Sequence, residues 1–443
     1  MTRTCDLGDA VLRNMELLGG IFEFQDGLYE DALGFQHLHT ASDEYKTLTR
    51  YHLIRESHTH YDTSLVPIFE HLDEVLSPWY AVHGSSRVLR LVQSMEYMRL
   101  MVLVHAAYFG LTDVMSLLLH HPPSHQSKGS TSSSCQGFPH LIDLAALNGQ
   151  LRMLELLHSN PTNSTATTDA MDLAARKGHV SVVRFLHFHR SEGCSHFAML
   201  HAATNGHLNV VQFLYQFRHH DGVPAAAFVS AAANGHLEVV RFFHTNDVHG
   251  CTTRAMDLAA RGGHLEVVQF LHHHRREGCT TTAMDLAAKN GHLEVVQFLH
   301  RHRQEGCTTL AMDGAVSNGH LDVVRFLHHR RVEGCTKYAM DNAAEHGHFN
   351  VLRFLHDHRN EGCTTSAMDR AASYGRLEIV QFLHDHRAEG CTPRALEIAA
   401  RNGHLEVVTF LATRRHEGDI QSAIRHAKQN HHGGIVAFLE ALN

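Results

Sequence analysis

Three residue types able to do chemistry recur along this chain at one interval. Cysteine stands at Cys251, Cys279, Cys307, Cys335, Cys363 and Cys391, each 28 residues after the last. Aspartate follows each of the first five, at Asp257, Asp285, Asp313, Asp341 and Asp369. Histidines come in pairs two residues apart, as His272/His274, His300/His302, His356/His358 and His384/His386. Taken singly, the His pairs suggest a metal, the Asp a general acid or base, and the Cys a ligand, a nucleophile or a disulfide.

Spacing weakens each suggestion. Residues i and i+2 on a helix point about 200° apart, so one His pair cannot chelate one ion. Zinc needs its ligands at about 2.0–2.3 Å, and copies in neighbouring repeats are expected to lie too far apart to share it. Cys279, five residues past His274 across a helix end, leaves one small opening. One Asp per repeat suits no active site. It is expected to hydrogen-bond to a neighbouring loop, or to pair with the base four residues on, as Asp257–Arg261 and Asp285–Lys289. Packed helices lie about 8–10 Å apart, whereas a disulfide needs Cα atoms within about 7 Å. The thiols are therefore expected to be free, each a small apolar plug between repeats. An odd total of nine Cys fits a reducing compartment, the cytosol or the nucleus. The sequence has no phosphate loop, dinucleotide fingerprint, CxxC pair or nucleophile elbow. The expectation is no catalytic residue, no cofactor, no metal and no enzyme.

The elements that must position these residues fit inside the repeat. In Cys279–Gly306, CTTTAMDLAAKNGHLEVVQFLHRHRQEG, Thr280 is a good N-cap. Thr fills the same place at Thr252, Thr308, Thr336, Thr364 and Thr392, and Pro393 follows where a first helical position favours proline. A first helix is predicted over about Thr281–Lys289, ending at Asn290-Gly291. A second opens at His292-Leu293, with Glu294 in its first turn, where an acid suits the helix dipole. Val295, Val296, Phe298 and Leu299 give it a buried face. It is expected to stop at Gly306, with Arg303 in its last turn and cationic His and Arg near its C-terminus. Looser copies start near Gly137, Ala166, Cys194 and Val223, another centres on His105-Ala106-Ala107, and a degraded copy fills Asp419–Asn443. About twelve repeats result.

This repeat resembles the ankyrin repeat. The family pattern T-P-L-H-x-A-A-x-x-G-H-x-x-V-V-x-L-L maps onto Thr282-Ala283-Met284-Asp285-x-Ala287-Ala288-x-x-Gly291-His292-x-x-Val295-Val296-x-Phe298-Leu299. The resemblance covers residues 98–443 and implies an all-α, ankyrin-like helix-pair solenoid. Two departures stand out. The repeat has 28 residues, not the family's 33, so the projecting hairpin fingers should be shortened or absent. Asp also replaces the family's first His.

Comparison of the copies with one another shows what is free to vary. Ala283, Met284, Ala287 and Ala288 have near-identical counterparts and form the expected stacking face. Positions 4, 8 and 11 differ freely among the six regular copies. They are Arg254, Leu258 and Arg261; Thr282, Leu286 and Lys289; Leu310, Gly314 and Ser317; Tyr338, Asn342 and Glu345; Ser366, Arg370 and Ser373; Arg394, Ile398 and Arg401. The i, i+4, i+7 spacing puts each trio on one helical stripe. The resemblance implies that this stripe is the concave partner-binding face. A solvated face that drifts freely is the alternative, opposed by large apolar residues where none is needed. The second helix has a polar variable stripe (Gln269, His273, Arg276) that reads as the solvated side.

Residues 1–97 leave the repeat and are expected to form a helical N-terminal cap, since open arrays need polar ends. Leu17-Leu18 with Ile21-Phe22 resembles an F-box helix, the ubiquitin-ligase docking element, interrupted by Gly19-Gly20. Residues 120–136 are Pro/Ser-rich and read as a flexible insertion. The formal charge is 38 − 46 = −8, and 45 His bring it close to neutral, since about a quarter are protonated at pH 7. That balance disfavours nucleic acid and an anionic membrane. The longest apolar stretch, Met101–Leu111, is too short to span a bilayer. The expected function is a monomeric protein-binding scaffold. Its rivals are a ubiquitin-ligase adaptor acting through the N-terminal region and a helical-repeat RNA reader.

Overall fold

The computed structural model describes residues 61–94, 96–121, 140–160, 165–218 and 225–442. The F-box-like segment and nearly all of the expected insertion lie outside the described residues. The described residues hold 26 α-helices, one 3₁₀ turn and no strand. The chain divides into two compact units, Met1–Val223 and Pro224–Asn443.

In the first unit, the helix Tyr61–His83 packs on Glu96–Phe109. Phe69 stacks on Tyr108 with ring centroids 4.0 Å apart, and the buried His105 meets Asp73 at 3.1 Å. Four helix pairs follow: Glu96–Phe109 with Thr112–His120, Leu141–Leu147 with Leu151–His158, Thr168–Lys177 with Val180–His189, and His196–Thr204 with Leu208–Arg218.

The second unit holds eight pairs, from Ala225–Ala233 with Leu237–Thr245 to Ile420–Gln429 with Gly433–Leu442. In the repeat read above, the first helix is Thr281–Lys289 and the second Leu293–His302. The second helix ends earlier than expected. Arg303 is already extended, at φ −122 and ψ 148. Gly306 keeps its left-handed φ of 73, but in the loop that leads to the next repeat. This helix therefore stops because Arg303 turns away to meet Glu305, as described below.

The core is the face the copies share. Ala283, Met284, Ala287 and Ala288 are buried, as are Val295, Val296, Phe298 and Leu299 and their counterparts in the neighbouring repeats. First helices of successive repeats pack more extensively than second helices do. Ala pairs allow this close approach. Among the described residues, no helix is long and apolar enough to cross a membrane.

Candidate functional site

The recurring chemical residues are spent on joints between repeats. Each Asp caps the helix of the next copy. The backbone N–H of Thr280 donates to one carboxylate oxygen of Asp257 (2.8 Å), and its hydroxyl donates to the other (2.9 Å). The same pair of bonds joins Thr308 to Asp285, Thr336 to Asp313, Thr364 to Asp341 and Thr392 to Asp369, at 2.7–2.8 Å. The Thr308 hydroxyl in turn accepts the N–H of Leu310 at 3.2 Å. One hydroxyl thus satisfies a helix N-terminus in its own repeat and a carboxylate in the repeat before it. Of the two partners expected for Asp257 and Asp285, the neighbouring loop is the one used, not Arg261 or Lys289. The looser copies repeat the joint, Thr167 with Asp143 and Ser195 with Asp172. Burial pushes the Asp143 carboxyl up to about 7, against the bonds from Thr167 that favour its charge.

The Gly-His element is a second joint. Gly291 has φ +80, and a Cβ there would lie 2.6 Å from Nδ1 of His320 in the next repeat. Only glycine leaves room for that ring. The ring that enters also caps a helix. Nε2 of His292 lies 3.1 Å from the Arg261 carbonyl, and Nε2 of His404 lies 2.9 Å from that of Ser373. A carbonyl only accepts, so Nε2 carries the proton.

Sequence reasoning missed a third joint, although its signal was the constancy of Arg-x-Glu-Gly at the end of each repeat. The Arg303 guanidinium forms a bidentate pair with Glu305, as Arg331 does with Glu333, Arg359 with Glu361 and Arg387 with Glu389, while Arg275 meets Glu277 through one bond, at 2.6 Å. Burial pushes the Glu389 carboxyl up, but the Arg387 hydrogen bond, two backbone N–H groups and the Arg387 charge outweigh it and hold it at about 2. Arg303 sits here and not in a last helical turn, because a half-buried bidentate carboxylate is a better partner than a helix dipole.

The paired histidines fall into an aromatic ladder. His272 meets Phe298 of the next repeat edge-on at 5.5 Å, while His302 packs on the same ring at 4.5 Å. The rings of His272 and His302 lie 5.7 Å apart, so histidines of neighbouring repeats come closer than sequence spacing suggested. Helix axes are 8–10 Å apart, but side chains lean across the gap. Among the described residues, no group of three or more His, Cys, Asp or Glu could hold a metal ion. Within the ladder, the inner rings His272 and His300 depart from the cationic helix ends expected of them. Burial, then the charges of His273 and Arg303, lower the pKa of His272, and His300 and His328 are lowered in the same way. At two joints an arginine donates to the ring, Arg218 to Nδ1 of His187 at 2.9 Å and Arg415 to Nδ1 of His384 at 3.2 Å.

The seven described cysteines are free thiols, and Cys279, Cys307, Cys335 and Cys363 are buried. Burial, then the neighbouring Glu305, pushes the Cys279 thiol up to about 11. Such thiols are poor nucleophiles near neutral pH.

The first-helix stripe is what remains outside these joints. Arg254, Arg261, Thr282, Lys289, Leu310, Tyr338, Arg394 and Arg401 are exposed. Leu258, Leu286, Asn342, Glu345, Ser366, Arg370 and Ile398 are half-buried. Leu310 is 64% exposed and Tyr338 65%, high for large apolar side chains. Part of the stripe binds itself across three repeats. Arg370 donates to Asn342 (3.0 Å) and Glu345 (2.6 Å), and Asn342 donates to Ser317 (3.0 Å).

Helix pairs stacked through repeated caps, with a variable exposed stripe, define a helical-repeat solenoid. A family model described as ankyrin repeats (3 copies) matches residues 142–226, 198–282, 256–341, 315–393 and 340–424. The chain belongs to the ankyrin-repeat family. Among curated proteins, none matches it.

Proposed function

We propose that this chain is a non-catalytic scaffold that binds a protein partner on the first-helix stripe of residues 254–401, acting as a monomer, with residues 1–97 as its N-terminal cap. Ankyrin repeats are in general protein–protein interaction modules, and membership of the family supports the coarser part of this reading. One observation carries the rest. The recurring Asp, His, Arg, Glu and Cys residues serve the joints, whereas positions 4, 8 and 11 lie outside them and include the exposed Leu310 and Tyr338. Apolar groups held in water on an otherwise well-packed array are natural contact points. In the regular repeats the second-helix stripe is polar, and the exposed second-helix aromatics Phe188 and Phe217 of the looser copies lie against each other, ring centroids 5.9 Å apart.

Proximity labelling in cells tests this reading, with the wild-type chain compared with L310S/Y338A. Interface anchors cost about 1–4 kcal/mol when truncated, enough to deplete a specific partner strongly. The variant should keep its fold and lose that partner. An unchanged set of labelled proteins would remove the stripe from consideration.

A further inference from the structure

We propose that the stripe takes an extended acidic segment of its protein partner, with acidic residues at both ends and an apolar side chain at the middle. This rests on the protein-binding reading above. The stripe opposes the charge of its chain. The whole sequence has 46 acids and 38 bases. The stripe has six bases, Arg254, Arg261, Lys289, Arg370, Arg394 and Arg401, and a single acid, Glu345. Glu345 is taken up by Arg370. The other five bases are exposed and form no ion pair among the described residues.

The acids that set the net charge are placed elsewhere. Loop acids such as Glu305 are held by arginine, and the Asp of each joint is held by Thr. Glu266, Glu294, Asp322, Glu378 and Glu406 are exposed, but they stand in the first turns of second helices, where they complement the helix dipole. The sorting by element leaves the first-helix stripe cationic.

The five open bases also fall into two groups. Arg254, Arg261 and Lys289 occupy two neighbouring repeats at one end, and Arg394 and Arg401 a single repeat at the other. In the three repeats between them the stripe offers Leu310 and Tyr338 and only the paired base Arg370. Four to five steps of about 8–10 Å separate the terminal groups, or about 40–50 Å between their outermost repeats. That far exceeds the screening length of about 8 Å in physiological salt, so each end must meet its own acids. An extended chain advances about 3.3 Å per residue, which sets the occupant at about 12–15 residues. A nucleic-acid strand is a poorer fit. Its phosphates run without interruption, and the middle three repeats offer the stripe no unpaired base to meet them.

The test uses the full chain and fluorescence anisotropy. The probe is a labelled peptide of about 15 residues, with Glu and Asp in both outer thirds and Leu, Tyr and Gly in the middle. A peptide with Lys in place of the acids and a mixed single-stranded RNA are the comparisons. The acidic peptide should bind, and R254E/R261E/K289E and R394E/R401E should each weaken it by about tenfold or more with unchanged melting. Tighter binding of the Lys peptide or the RNA, equal binding by the charge-reversed variants, or no binding of the acidic peptide would each overturn the proposal. Proximity labelling separates this failure from that of the stripe itself. A partner lost in L310S/Y338A but kept in both charge-reversed variants leaves the stripe and rejects the acidic segment. A partner kept in all three rejects the stripe.

Discussion

At the scale of single residues, the repeat turns groups that look catalytic into connectors. The carboxylate of Asp285 is buried and accepts both the N–H and the hydroxyl of Thr308. Removing it strands two donors that ordered the next helix. Asp285→Ala should therefore cost about 1–3 kcal/mol in urea unfolding, and Asp285→Asn less, since the amide oxygen still accepts. Neighbouring residues of one helix should behave in opposite ways. Met340 is buried between repeats, so Met340→Ala should cost about 2–5 kcal/mol by leaving a cavity. Tyr338 stands in solvent, so Tyr338→Ala should leave the melting temperature nearly unchanged. If Tyr338→Ala unfolds the chain while Met340→Ala does not, the two faces have been assigned the wrong way round.

At the scale of the element, first helices are capped by the Asp of the preceding repeat and the His of the next, and titratable groups at these seams set the response to pH. Burial against Phe298, then the charges of His273 and Arg303, lower the His272 pKa from the ordinary value of about 6.5. The unfolded chain then binds its proton first as pH falls. Its contribution is present above about 6.5 and is lost as pH drops through the folded value. Asp143 acts in the other direction. With its carboxyl raised to about 7, its contribution is full below about 4 and is lost as pH rises through 7. Urea midpoints followed from about pH 7.5 to about pH 5.5 should fall less steeply in His272→Phe and more steeply in Asp143→Asn than in the wild type. Parallel profiles for all three proteins would exclude these groups as the source. The glycine beneath the entering ring is equally specific. Gly291→Ala forces a Cβ into a left-handed turn and against His320, and should destabilise by about 1–2 kcal/mol.

At the scale of the molecule, the repeats of residues 251–418 share one frame, and their joints are interchangeable. Deleting Cys307–Gly334 brings Asp285 against Thr336 in place of Thr308. Solenoid stability is close to a sum of repeat and nearest-neighbour terms. The shortened chain should fold with near-identical helicity per residue and unfold at a lower urea midpoint. Loss of helical circular dichroism beyond the deleted share would show instead that the repeats are not equivalent. Thiol reactivity gives a second view of the array. Buried cysteines with raised pKa, such as Cys279 and Cys335, should resist alkylation in the native chain and react fully in urea. Rapid native labelling at these positions would mean that the joints open readily.

The ankyrin resemblance, the helix bounds Thr281–Lys289 and the buried Ala-Met and Val-Val-x-Phe-Leu faces were legible because they are local. Capping, glycine placement and helical period act within a few residues, and twelve imperfect copies of one pattern separate the required positions from the free ones. What each recurring polar group touches was not legible. The sequence left Asp285 with two partners, set Arg303 in a helix it does not reach, and kept His272 and His302 apart. The first and last of those choices depend on the offset between stacked repeats, a distance that no residue within one repeat encodes. Tertiary packing set that offset, and with it decided that Asp bonds to the next repeat's Thr and that His272 meets Phe298, whereas the Arg303–Glu305 pair is local. The joints then consumed the reactive groups and left the first-helix stripe to solvent.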